Sequence, residues 1–194
     1  MKPLAFTPPY VWVFSGVMFL AYLPEFFLIA RSKPARAEKV DQGSLSFILG
    51  AVWIGMIAGF FVAHIQAFIL FHGQKAWFFT GIACLIAGAL LRQYCFRALG
   101  RYFTGDVRVA SEQPVIQTGL YRWVRHPSYS AGMLLYLGTG LALTNWLSTL
   151  IIGGMGAVGY VYRVYVEEQA LQSSMGGPYR EYMRRTRRFI PFVF

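Results

Sequence analysis

The feature that most restricts this chain is its succession of long apolar runs separated by short polar ones. A helix needs about 20 mostly apolar residues to cross a bilayer. Tyr10 to Ile29, Leu45 to Phe71, Trp77 to Phe96 and Trp146 to Val166 reach that length, and Ser128 to Thr144 is a shorter fifth run. The second and third runs are joined by His72-Gly73-Gln74-Lys75, and the last two by little more than Asn145, as in a tight helical hairpin. Of the 194 residues, 56% are hydrophobic and 13% charged, against about 25% charged in an ordinary soluble domain. Water could not solvate so much apolar surface, whereas lipid can. The pattern predicts an all-α, polytopic integral membrane protein with about five transmembrane helices.

The formal charge of +10 by itself fits nucleic acid or an anionic membrane, and its distribution separates the two. Arg31, Lys33, Arg36 and Lys39 lie between runs one and two. Arg97, Arg101, Arg108, Arg122 and Arg125 lie between runs three and four, and Arg180, Arg184, Arg185, Arg187 and Arg188 follow run five. Only Lys2 and Lys75 fall on the opposite side. Alternate loops carry the charge, as the positive-inside rule requires. This sets the N-terminus outside and the C-terminus in the cytoplasm, and accounts for the charge without nucleic acid. Anionic headgroups are the ordinary partners of such loops. The first apolar run is too long for a signal-peptide core and lacks a basic flank beyond Lys2.

Cys84 and Cys95 are the only cysteines. Eleven residues of helix separate them by about 16 Å, too far for a disulfide, and two cysteines make no zinc ribbon. Gly55 and Gly59 in run two, and Gly153, Gly154, Gly156 and Gly159 in run five, read as close helix packing in lipid. No phosphate-cradling glycine loop is present.

Two groups of polar residues go beyond packing. The first is the loop from Gln113 to Tyr129, which mixes amides, aromatics, a glycine and the pair His126-Pro127 before running into the fourth helix. Pro127 suits the first helical turn, where free N–H groups and a positive dipole end collect. The second is Arg163 and Glu167, four apart and therefore on one helix face. Ionisable groups at membrane depth are functional candidates; the competing reading is an ion pair that snorkels to the interface. Glu168 points to a different face. Arg92 is expected to share a cavity with Arg163, and Glu25 reads as an interfacial snorkelling residue. His64 and Gln66 read as packing residues within run two.

Gly119-Leu-Tyr-Arg-Trp-Val-Arg-His-Pro-Ser-Tyr129, then Arg163 with Glu167-Glu168, then the tail Gly177-Pro-Tyr-Arg-Glu-Tyr182 and Arg188-Phe-Ile-Pro191, resemble the isoprenylcysteine carboxyl methyltransferase family. The likeness runs from Leu91 to the end, and the first half matches only in hydropathy. The His-Pro element also occurs in membrane phospholipid N-methyltransferases and, in related form, in sterol reductases. Its combination with the two glutamates and the tail is more specific.

The resemblance implies an S-adenosylmethionine-dependent carboxyl O-methyltransferase, with S-adenosylhomocysteine as product. It implies a compact prokaryotic-type member acting on an isoprenylcysteine or similar lipophilic acid. Carried over by position, Gln113, Pro114, Val115, Ile116, Tyr121, His126, Pro127, Ser128, Tyr129 and Glu167 would bind the cofactor. Arg163 and Glu167 would be catalytic, Arg163 and Arg92 would face the substrate, and no metal is expected. Gln113 departs from the histidine common there, which leaves hydrogen bonding but not proton transfer. Phospholipid N-methylation is the first alternative, and an NADPH-dependent sterol-type reductase or a non-catalytic membrane protein the second. Residues 1–97 are expected to hold helices one to three. Residues 98–194 are expected to hold the cofactor-binding catalytic region with the helix 4–5 hairpin and tail, all within one integral domain. The expected place is the cytoplasmic membrane in a prokaryote, or the endoplasmic reticulum in a eukaryote, with the site facing the cytoplasm.

Overall fold

The computed structural model describes residues 2–31, 38–39, 41, 43–70, 72–100, 103, 108–109 and 114–190. Among these residues the regular elements are helices, apart from one two-residue strand pair. The helices are α1 (Tyr10–Arg31), α2 (Ser44–Val62), α3 (Gln74–Leu99), α4 (Pro127–Ala142), α5 (Trp146–Met175) and α6 (Gly177–Arg185). Strands β1 (Glu38–Lys39) and β2 (Arg108–Val109) pair antiparallel, Glu38 opposite Val109 and Lys39 opposite Arg108, so the α1–α2 and α3–α4 connections are tied together. By length and composition α2, α3 and α5 can each cross a membrane, and Tyr10–Glu25 of α1 is a shorter apolar helix. At 16 residues, α4 is below the length of a full crossing.

Small residues set the contacts between helices. α3 packs on α4 at Gly138, where a Cβ would lie 2.7 Å from the Leu85 nitrogen and 2.8 Å from the Gly81 oxygen. No side chain fits there, so the two backbones meet directly. α2 packs on α5 through Gly55 and Gly59, which face Met155 and Ile152. Without a hydrophobic drive between helices in lipid, such close approach supplies the van der Waals contact that holds them.

The second apolar run behaves differently from its hydropathy. It was expected to continue to Phe71, but α2 stops at Val62 and a single 3-10 turn, Gln66–Phe68, follows. The cause lies in the α4–α5 turn. The Asn145 amide donates to the carbonyl oxygens of Val62 at 3.3 Å and Ile65 at 3.4 Å, while its oxygen caps α5 by accepting from Ser148 N at 3.0 Å. Ser148 Oγ donates to Gly59 O at 2.7 Å, and Leu70 N to Thr144 O at 2.9 Å. These bonds satisfy backbone groups that would each cost several kcal/mol if left bare in hydrocarbon. His64 accordingly lies beyond the helix, stacked on Phe6 with ring centroids 4.6 Å apart, and Gln66 opens the 3-10 turn. The fifth run also differs: α5 continues nine residues past Val166 to Met175. Arg163 and Glu167 therefore sit inside a long helix rather than at its end.

Candidate functional site

The site is built where α4 begins. Gly119 opens a 3-10 turn, Gly119–Arg122, with φ 59°. His126 precedes Pro127, which occupies the first turn of α4. The chain end is laid along this loop. Val124 and Arg187 form a parallel bridge, Arg125 N donates to Arg187 O at 2.7 Å, and His126 N to Arg188 O at 3.0 Å. Ser130 Oγ donates to Phe189 O at 2.7 Å, and Tyr182 Oη to Tyr121 O at 2.6 Å. Helix α6 and the tail thus form a strap that fixes the loop.

Glu168 anchors that strap. Its Oε1 accepts from Arg125 Nε at 2.9 Å and lies 3.3 Å from His126 Nε2, while its Oε2 accepts from Arg188 Nε at 3.0 Å and Nη2 at 2.9 Å. Arg125 also donates to the carbonyl oxygens of Met183 and Thr186. A carboxylate holding two arginines in this way is saturated.

Glu167, one residue earlier on α5, faces elsewhere. Its Oε2 accepts from the Tyr129 hydroxyl at 2.7 Å and lies 3.7 Å from His126 Nδ1. Its side chain is 27% exposed, against 3% for Glu168. The Tyr129 hydroxyl in turn accepts from Arg163 Nε at 3.1 Å. Tyr129 therefore stands between Arg163 and Glu167, which the helix spacing alone had set side by side. Its ring stacks on His126 with centroids 5.6 Å apart.

Arg163 is buried, not snorkelling. Its Nη1 donates to Asp41 Oδ1 at 3.0 Å and to Ser44 Oγ at 3.1 Å. Asp41 is a site residue that the sequence reading missed. It also accepts from Ser44 Oγ at 2.7 Å and Leu45 N at 3.2 Å, so it caps α2 as well. The signal present in the sequence was Asp41-Gln-Gly-Ser44 ahead of an apolar run, which marks a helix start but not a partner on α5.

Arg92 and Glu25 form a half-buried ion pair, so Glu25 is held inside the protein instead of reaching for the interface. Arg92 Nη1 also donates to Ser128 O at 2.8 Å, and its guanidinium lies 4.8 Å from the Phe96 ring centre. Arg92 and Arg163 both line one cavity of about 720 Å³. Glu25, the partner of Arg92, lines it too, and the rest of the wall is aliphatic and aromatic, mainly from α1 (Met18, Phe19, Tyr22) and α2 (Leu49, Val52, Met56). Tyr129 belongs to this lining, whereas Glu167, Tyr121 and His126 do not. Tyr129 is thus the shared wall between an apolar cavity and a polar cluster.

The polar cluster holds one orphan. The Tyr121 hydroxyl is buried with Ser128 and the Cys95 thiol beside it, but makes no well-formed hydrogen bond among the described residues. Burial pushes its pKa up, with the Cys95 thiol next and the Glu167 carboxylate adding to the effect, so it stays a neutral donor. A buried hydroxyl without a partner is costly, and beside Glu167 it fits a ligand rich in hydroxyl and ammonium groups. Pro114 is exposed and Val115 and Ile116 are half-buried in an irregular approach to the turn, not drawn into the hydrogen-bonded cluster. Gln113 lies outside the described residues.

These features define a multi-pass helical membrane protein with a two-part site at one end of its helices. Residues 81–173 match the isoprenylcysteine carboxyl methyltransferase (ICMT) family. A probable protein-S-isoprenylcysteine O-methyltransferase of Oryza sativa subsp. indica is 26% identical over 187 residues, covering 94% of this chain and 96% of that protein. Protein-S-isoprenylcysteine O-methyltransferase B of Arabidopsis thaliana is 30% identical over 135 residues, 67% of this chain and 68% of the relative. The solved structure of a eukaryotic intramembrane Ras methyltransferase, ICMT, superposes with a TM-score of 0.66 at 25% identity, over 97% of this chain and 69% of that one. The chain belongs to the isoprenylcysteine carboxyl methyltransferase family.

Proposed function

We propose that this protein transfers a methyl group from S-adenosylmethionine to the carboxylate of an isoprenylcysteine or similar lipophilic acid. One observation carries the reading: an apolar cavity with two arginines in its wall meets a polar cluster across a single residue, Tyr129. The cavity suits a prenyl chain, since about 300–1,000 Å³ is usual for a bound small molecule. The polar cluster suits the cofactor, with Glu167 accepting from its ammonium or ribose hydroxyls and the orphan Tyr121 hydroxyl donating to it. His126, Pro127 and Ser128 form the turn beside it, and Pro114, Val115 and Ile116, with Gln113 before them, are assigned to its outer edge.

The chemistry asks little of acid–base groups. A carboxylate with a pKa of about 3.5 is already ionised at neutral pH, so no proton has to be removed. When bound, the cofactor would supply an electrophilic methyl group on a sulfonium for the carboxylate oxygen to accept, with S-adenosylhomocysteine as the leaving thioether. The protein's share is to orient the acid and exclude water from it. Arg163 does the first, because its planar fork stays charged at membrane depth. The apolar walls of α1 and α2 do the second. Arg92, held by Glu25 and Ser128 O, lines the same cavity as a second cationic contact.

The positive-inside pattern of the loops supports a site that faces the cytoplasm, where the soluble cofactor is available. The lipid tail comes sideways from the bilayer. Residues 1–97 provide most of the lipid-facing wall, and residues 98–194 the cofactor cluster.

The test is acceptor choice in lipid vesicles. Methyl-labelled S-adenosylmethionine is offered with an S-farnesylcysteine derivative or with phosphatidylethanolamine. Label on the farnesylcysteine acid is expected. Label on the amine lipid, or tight NADPH binding with no binding of S-adenosylmethionine, would overturn the reading.

A further inference from the structure

Asp41 is not needed by the reading above, yet it forms a direct, buried ion pair with Arg163. It lies in the α1–α2 connection, 122 positions from Arg163 in sequence. Both side chains are about 5% exposed. Asp41 Oδ1 receives Arg163 Nη1 directly at 3.0 Å, and Ser44 Oγ, 2.7 Å from the same carboxylate oxygen and 3.1 Å from Nη1, closes a three-membered group. Leu45 N fixes the other carboxylate oxygen at 3.2 Å. Two residues before Asp41, β1 is paired to β2, so the connection is held on both sides.

We propose that Asp41 is the positioning residue and resident counterion of Arg163 during carboxyl methylation. The proposal rests on the carboxyl-methylation reading. Its physical basis is a change of charge. The acid arrives as an anion and leaves as a neutral ester, so an arginine that held only the acid would be left uncompensated in a low-dielectric cavity after every turnover. A buried charge stripped of its partner is strongly unfavourable. Asp41 keeps Arg163 paired before and after transfer. It also prevents a bare cation from gripping the acid too tightly in the ground state, where added affinity gives no rate.

Tyr129 meets Arg163 at Nε, a different nitrogen from the Nη1 that Asp41 holds, and Glu167 is reached only through Tyr129. Loss of the Asp41 charge therefore acts on Arg163 and leaves the polar cluster its own contacts.

The experiment compares full-length wild type, Asp41→Asn, Arg163→Lys and the double variant in lipid vesicles. It reads kcat and KM for the farnesylcysteine acid, together with S-adenosylhomocysteine affinity by calorimetry. Asp41→Asn is expected to lower kcat about tenfold, equivalent to about 1.4 kcal/mol, while KM for the acid falls and cofactor-product affinity is unchanged. In the Arg163→Lys background the same change should cost little more, because both act through one group. A rise in KM, wild-type kinetics, or additive losses overturn the proposal while leaving the methylation reading intact. If wild type itself does not methylate the acid, the methylation reading fails and takes this proposal with it. Should Asp41→Asn not bind S-adenosylhomocysteine, Ser44→Ala decides. A smaller loss in kcat without a rise in KM supports the proposal, and unchanged kinetics or a raised KM overturns it.

Discussion

Glu167 and Glu168 are adjacent on α5 and do opposite things. Glu168 is enclosed by Arg125, His126 and Arg188, with both of its oxygens engaged by arginine. Glu167 accepts one short hydrogen bond, from Tyr129, and keeps part of its carboxylate open. The step of about 100° between consecutive helical residues is enough to separate a structural carboxylate from an available one. Between these two glutamates, the saturated carboxylate belongs to the scaffold and the one with unused capacity is where a ligand can bind.

Three substitutions sharpen that contrast. Glu168→Gln should have the largest effect. It leaves Arg125, whose side chain is 8% exposed, without its counter-charge, and breaking a buried pair costs about 3–5 kcal/mol. Denaturant unfolding in detergent should show that loss, and a change too small to resolve would mean that the strap does not depend on Glu168. Arg163→Lys comes next. A point charge cannot reproduce the fork that meets Tyr129 and Asp41, so turnover should drop about a hundredfold, as for other single groups that orient a reacting charge. Cofactor binding should survive, and a fully active lysine variant would make Arg163 structural. Glu167→Ala should have the smallest effect on the fold. Its unfolding midpoint should stay near that of wild type, while S-adenosylhomocysteine affinity by calorimetry falls about tenfold, the size of one charge-assisted hydrogen bond. Unchanged affinity would remove Glu167 from the cofactor site.

Much of this arrangement was legible in the sequence, for reasons that can be named. Helical periodicity set Arg163 and Glu167 on one face and Glu168 on another, and Pro127 marked the start of α4. Those signals are local, so they need no knowledge of the fold. The contacts that went unread are long-range. Asp41 meets Arg163 across 122 positions and Arg92 meets Glu25 across 67, and no periodicity joins two helices that pack only in three dimensions. The early end of α2 is of the same kind. Residues 63–71 are apolar enough to continue a helix, and it is the amide of Asn145, far along the chain, that captures the carbonyl oxygens and turns it. Hydropathy reports what can lie in lipid, not what a distant side chain will cap. The tail was read as a motif, but its use as a strap on the loop, through Arg187, Arg188 and Phe189, appears only in the fold.

The central claim is that the nucleophile at the shared wall of Tyr129 is a carboxylate, and the chemical nature of the methylated product tests it most directly. Wild type is incubated in vesicles with methyl-labelled S-adenosylmethionine and the farnesylcysteine acid, and the recovered lipid is treated with alkali. A methyl ester releases its label as volatile methanol, whereas a methylated amine keeps it. The account predicts release of the label from wild type and its near-absence in Arg163→Lys. Label that resists alkali would contradict it.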